Sequence, residues 1–473
     1  MKRKVLSVLL SAVMLVGILS ACGQSQSDAS GGASEEATEA EAPAAEEASE
    51  GSEPASEEAS AESSEGYGED RNLEGEITVW DWNNAYEEKM YAVFQEAYPN
   101  IKVNYVTVAH GDFMQKLQSA IATGTDVPDV ILGEMTWRGK LFDMDVLENL
   151  EAAPYNVDRN DMLDYVHNGL SNFRGEIVGL DQSIVPAGLA YRRDLAKEYL
   201  GTDDPEEVYE KISTWEDFIA TGQEVSEKSG GQVTMFSSFG DVLTITRSQH
   251  CMEYIDGNVI DITKRMKEPL EMAIRVRDAG ILGDHEEDSP SWHADFASGN
   301  NIFFPSAPWS CEWHVHANDP DGGGNWGLTK APESGFTKGG TSVGIYKDSP
   351  NKEAAWAYIK WTFFSLEGSV AARDIIGQYI SLKACYEGDN AVWNVPGAYD
   401  EYFGGQNLLK YFIEEIVPDI TTTQRETSYE TTVTQSFTKL NPTLATDFSI
   451  DATQALELLK EEISIAEMDA DVK

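Results

Sequence analysis

The chain has 473 residues, 41% of them hydrophobic, with 82 acidic against 34 basic residues and a net charge of −48. Its length suits two or three domains with sizeable cores. The acidity argues against nucleic acid as a partner, because phosphate binding needs clustered Lys and Arg.

The N-terminus reads as a targeting signal. Lys2, Arg3 and Lys4 precede an apolar run from Val5 to Leu19, which is short for a membrane span. The run ends in Leu19-Ser20-Ala21-Cys22, which resembles the lipobox of bacterial lipoproteins, where the Cys becomes the lipidated first residue. An ordinary signal peptide cleaved near Ala21 is the alternative. Between Asp28 and Asp70 the chain has about fifteen acids and no Lys or Arg. Such a tract has little to bury and is expected to be a disordered tether over residues 22–72. No later stretch is apolar enough to span a bilayer.

The folded part is expected to begin with a strand around Ile77 and Val79, running into Trp80-Asp81-Trp82-Asn83-Asn84. Trp80 is expected in the core, on the opposite side of the strand from Trp82. Asn84 and Glu87 have capping-box spacing, and Tyr86, Met90 and Phe94 follow at helical spacing. A strand from Ile101, a helix with Phe113, Leu117 and Ala120 on one face, and the buried run Val130–Glu134 complete βαβαβ. The crossover rule makes that sheet largely parallel, with ligands outside its C-terminal strand ends. Trp80–Asn84 and Glu134–Trp137 lie at two such ends and are expected to face one crevice. Further on, Ser213 and Glu216 read as a second capping box, "SAPWSCEW" as a strand leading into an aromatic loop, and "GGTSVGIY" as a strand. Ser349 and Pro350 read as the start of a helix. A terminal helix is expected around "TQALELLKEEI".

The order of these pieces resembles the family-1 extracellular solute-binding proteins, the carbohydrate receptors of ABC importers, over nearly all of residues 73–473. The residues that carry the likeness are "ITVWDW", "FQEAYPNIKVNY", "KLQSAIATGTDVPDVI", "TWEDF", "APW" and "GGTSVGIY…NKEAAWAYIKWTF". The resemblance implies an α/β, type II periplasmic-binding-protein-like fold of two lobes joined by a hinge of crossing strands. The first lobe would hold 73–181 and 341–380, the second 182–340 and 381–473, with crossings near Asp181, Gly340 and Gln378. It also implies a monomer held by its lipid outside the cell membrane, handing sugar to permease subunits, with no cofactor.

A sugar offers apolar C–H faces and a rim of hydroxyls, so its cleft needs aromatic platforms beside convergent donors and acceptors. Trp82 with Asn83 and Asn84, Trp137 with Glu134 and Arg138, and Trp309 after Pro308 supply that mixture. The resemblance adds Asp181, Gln182, Asp241, Gly340, Tyr379 and Tyr429 as ligand contacts. Two other classes of function compete with this reading. A glycoside hydrolase needs two carboxylates at fixed separation, for which Asp181 and Asp241 are the candidates. A metal receptor could use Cys311, His314 and His316, although no fourth ligand lies at usable spacing. Within the family, a peptide or polyamine could replace the sugar. The three cysteines after Cys22 (Cys251, Cys311 and Cys385) are an odd number, so at most one pair can form.

Overall fold

The computed structural model describes residues 66–421 and 423–473. Cys22, the signal segment and most of the expected tether lie outside the described residues. The end of that tether needs correction, because residues 67–72 are packed on the folded part. Tyr67 meets Tyr155 edge-on at 5.9 Å, the Tyr98 hydroxyl donates to Gly68 O at 2.9 Å, and Arg71 pairs with Glu367 at 3.1 Å. Tyr67 and Arg71 supply an aromatic and a cation for these contacts.

Two sheets organise two lobes. In the first, β1 (Gly75–Asp81), β2 (Ile101–Thr107), β3 (Val130–Glu134), β4 (Leu180–Asp181) and β11 (Thr341–Ile345) lie in the order β2-β1-β3-β11-β4. β1 is parallel to β2 and to β3, whereas β11 returns antiparallel between β3 and β4. Ile77, Val79, Ile101, Ile131, Val343 and Ile345 are buried and centre the first core. The helix Lys352–Phe363 packs Ala355, Trp356 and Ile359 into it. Cys385, Tyr386 and Val392 also pack there, so this core extends past the expected boundary at 380.

The second lobe is built on β5 (Pro186–Arg192), antiparallel to β8 (Phe303–Ser306), β9 (Trp326–Thr329) and β10 (Phe336–Thr337). The period of two divides β5 between two cores. Leu189 and Tyr191 join Phe218, Phe236 and Phe437, while Ala190 joins Trp292, Phe304 and Trp326. A small sheet of β6 (Ile255–Asp256), β7 (Val259–Ile260) and β12 (Asp471–Val472) ties down the C-terminus.

Three segments run between the lobes and bond to one another. Gln182 N donates to Thr341 O at 2.9 Å, Ile184 N to Tyr379 O at 2.7 Å, and Lys338 N to Val185 O at 3.1 Å. Gly339 (φ 76°) and Gly340 (φ 129°) lie in the middle crossing, in backbone regions that favour glycine.

Several local expectations shift by a residue or two. Asn83 rather than Asn84 caps the first helix, its Oδ1 accepting from Ala85 N at 2.9 Å. Thr214 with Asp217 replaces Ser213 with Glu216, because Thr214 Oγ1 accepts from Asp217 N at 3.0 Å. Ser349 instead donates to Asp129 at 2.5 Å, and its helix starts at Lys352 after Asn351. "PWSCEWHVH" is helical from Pro308 to His316, not a loop. Trp80 is buried, but on the same side as Trp82: both rings meet Phe113 edge-on, as residues two apart on a strand should.

Candidate functional site

The C-terminal ends of β1, β3 and β4 meet the start of β11 at one edge of the first sheet. At that edge Trp82 and Trp137 meet edge-on, with centroids 5.4 Å apart and planes at 84°. Phe113 stacks on Trp137 at 5.5 Å, and His110 lies 4.5 Å from the same ring. The two Trp-bearing segments therefore meet at this edge. His110 was not foreseen. It sits on the turn before the helix Phe113–Thr123, where sequence gives no sign that it meets β1 and β3.

The polar side chains divide into occupied and unfilled. Asp81 Oδ1 accepts from Trp82 N at 2.7 Å and from Asn83 N at 3.1 Å. Burial nevertheless pushes its pKa up to about 7, against the pull of those bonds. Glu134 accepts from Thr136 N at 2.9 Å and lies 3.5 Å from His110 Nε2. Asn84 is exposed and bonded to Glu88 and Thr107, away from the rings.

Deeper in, Arg138 opens the short helix Arg138–Asp143, pairs with Glu426 and faces Asp181. Burial pushes Asp181 up to about 7, with Arg138 pulling the other way. A β-carbon on Gly340 would lie 3.5 Å from Arg138 Nη1, an ordinary contact, so the φ of 129° rather than the guanidinium favours glycine here. Several buried atoms here have no hydrogen-bond partner among the described residues, among them Trp137 Nε1, Arg138 Nε, Asp181 Oδ2, Glu426 Oε2 and the hydroxyls of Ser381 and Thr427. Trp137 Nε1 and Arg138 Nε are donors, Asp181 Oδ2 and Glu426 Oε2 acceptors, and the two hydroxyls can be either.

In the second lobe, Trp309 follows β8 at the hinge end of its sheet. Its indole N–H donates to Lys338 O at 3.0 Å, and its ring lies against Gly339 and edge-on to His314 at 4.8 Å. Lys338 is buried and pairs with Glu287 at 2.7 Å. Asp241 lies inside this lobe. Its carboxylate accepts from Ser238 N at 3.0 Å and from Trp292 Nε1 at 3.1 Å, as half of a capping box. Gln182 lends its carbonyl to the Tyr86 hydroxyl, Tyr379 is buried in the first core, and Tyr429 packs half-buried on the second.

The lobes touch around this site. Ser428 N donates to Asp143 at 2.9 Å, Thr431 Oγ1 to Thr136 O at 2.6 Å, and Lys89 pairs with Glu312 at 3.0 Å. Asp181 sits beside Arg138 and Asp241 inside the second lobe against Trp292, each with its own partners. His314 faces Trp292 and Trp309, while His316 faces Tyr399 and Tyr402. Cys311 turns back to its own helix, and among the described residues no set of three His, Cys, Asp or Glu could hold a metal. Cys251, Cys311 and Cys385 are all free thiols.

Residues 89–396 match the family described as bacterial extracellular solute-binding proteins, and the chain belongs to it. The lactose-binding protein of Rhizobium radiobacter is 24% identical over 364 residues, covering 72% of this chain and 82% of its own length. A crystal structure of an extracellular solute-binding protein of family 1 superposes with TM-score 0.71 at 19% identity, over 83% of this chain and 99% of that one. The galacto-N-biose/lacto-N-biose I-binding protein of Bifidobacterium longum gives 0.65 at 17% identity, over 83% and 97%. The fold is the two-lobed type II binding-protein fold, as the resemblance implied. Among the described residues, no helix is long and apolar enough to cross a membrane.

Proposed function

We propose that the protein is an extracellular receptor that captures a sugar or oligosaccharide between its lobes and passes it to an ABC permease. The observation that carries this reading is the site's composition: crossed indoles with buried donors and acceptors, on Trp137, Arg138, Asp181 and Glu426, that have no partner among the described residues. A neutral polyhydroxyl ligand matches both halves, with C–H faces for the rings and hydroxyls that donate and accept. A polyamine would have to approach the Arg138 guanidinium, and a carboxylate ligand Asp181, Glu134 and Glu426. Relatives named for lactose and arabinooligosaccharides support the same class. We place Trp82, Trp137, Arg138, Asp181 and Trp309 at the ligand, with Gly340 shaping the crossing. Asn83, Asn84, Glu134, Gln182, Asp241, Tyr379 and Tyr429 act behind or beside it.

A thermal-shift screen of lactose, maltose, arabinotriose, amino acids and spermidine tests the class. A ligand at 100 times its Kd adds about 2.7 kcal/mol of apparent stability. Stabilisation by a carbohydrate, lost in Trp309→Ala, is expected. A shift with spermidine or amino acids alone would overturn the reading.

The same proposal anchors the mature chain through lipid on Cys22 as a monomer, with residues 23–65 as spacer. Two acyl signals suffice for stable attachment. Cys22→Ala is expected to move the protein from the membrane fraction to the medium. A variant that stays with membranes would contradict the anchor.

A further inference from the structure

We propose that Glu426 is a ligand-contacting residue that the second lobe inserts beside Arg138, and that the pair cradles adjacent hydroxyls of the bound carbohydrate. The inference rests on the carbohydrate reading and adds to it a residue and a mode of recognition. Glu426 lies in "TTTQRETSYE", just before the helix Ser428–Thr446. That helix packs Val433, Phe437, Leu440 and Leu444 into the second-lobe core, whereas Arg138 starts a first-lobe helix.

The pair is deeply placed, with side chains 8% and 14% exposed for Arg138 and Glu426. An ion pair this buried holds its position well only when the remaining valences are also bonded. Here they are not. Arg138 Nε and Glu426 Oε2 have no partner among the described residues, nor do Trp137 Nε1, on the preceding residue, and Oδ2 of Asp181, which feels the Arg138 charge. Each buried polar atom left so costs stability, and native interiors hold few. On a buried pair that joins the two lobes, the open Arg138 Nε and Glu426 Oε2 mark the place where a ligand's polar groups go.

Chemistry narrows those groups. A hydroxyl accepts one bond and donates another, so one can accept from Arg138 Nε while donating to Glu426 Oε2. A neighbouring hydroxyl can serve Trp137 Nε1 and Asp181 Oδ2 in the same way. A vicinal diol on a sugar ring offers both at once, and the opposed charges of Arg138 and Glu426 suit a neutral ligand. The bonds from Ser428 N to Asp143 and from Thr431 to Thr136 O hold the Glu426 segment against the first lobe. Glu426 therefore joins the site only when the lobes meet, and one contact reads both ligand identity and closure.

The test is titration calorimetry on the protein with the tightest binder among lactose, maltose and arabinotriose, and with its mono-deoxy analogues. Glu426→Gln is expected to weaken binding at least tenfold while leaving the ligand-free melting temperature within a few degrees. The deoxy analogue most impaired on wild type is expected to lose nothing further on the variant. If Glu426→Gln does not fold, Glu426→Asp, which keeps the charge but shortens the reach, is expected to bind tenfold more weakly. Wild-type affinity in either variant, or a fall in melting temperature with unchanged Kd, would overturn the role of Glu426. Absence of binding by wild type to every sugar would overturn the carbohydrate reading itself, and the inference with it.

Discussion

Asp181 carries a large electrostatic stake in the site. Its pKa of about 7 in the fold, against about 4 in an unfolded chain, comes first from burial, with Arg138 opposing. Between those values the folded state binds more protons than the unfolded one, so this group's contribution to stability is greatest below about pH 4. It is lost as pH rises to about 7 and then stays constant. Asp181→Asn removes the ionisation, so its melting temperature relative to wild type should rise between pH 4 and pH 7 and level off above. Parallel profiles for the two proteins across that range would mean that the carboxylate is not buried as described. Sequence marked Asp181 only through family likeness, because its burial depends on Arg138, Tyr165 and β11, all distant along the chain.

At the scale of elements, strands were more legible than caps and partners. Alternation at Ile77 and Val79 and at Ile101 and Val103, and the short run Val130–Glu134, each gave a strand of the first sheet, since burial on one face writes itself as a period of two. Helix starts were less legible, because adjacent polar residues compete for the same free N–H groups: Asn83 beside Asn84, Thr214 beside Ser213. The helix Pro308–His316 was hidden by its aromatic content, which reads equally well as a loop. Glu426 was hidden because its partner lies 288 residues away, beyond any periodic signal. The middle crossing gives a test of its own. Gly339 combines a φ of 76° with a would-be β-carbon 3.1 Å from the Trp309 ring, whereas Gly201 has a φ of 85° and open space. Ala at either position pays backbone strain of about 1 kcal/mol or more. Urea unfolding should show Gly339→Ala losing more stability than Gly201→Ala, the excess measuring the Trp309 contact. Equal losses would show that the indole yields freely.

At the scale of the molecule, three bonded crossings and a handful of polar contacts join two lobes that each have their own core. Apart from the buried Arg138–Glu426 pair, bonds between the lobes such as Lys89–Glu312 and Thr431–Thr136 are partly exposed, so opening at the crossings breaks one buried ion pair and weaker contacts. Hinge closure on a ligand is an established motion of periplasmic binding proteins, with the change absorbed by a few element-terminal residues. Gly339 and Gly340 are placed for that role. A ligand that fills the unpaired atoms at Trp137, Arg138, Asp181 and Glu426 bonds to both lobes at once, and so favours the state in which they meet. Small-angle X-ray scattering, with and without a saturating concentration of the tightest carbohydrate, tests this most directly. A smaller radius of gyration in the bound protein is the predicted result. An unchanged radius at full saturation would contradict capture between closing lobes.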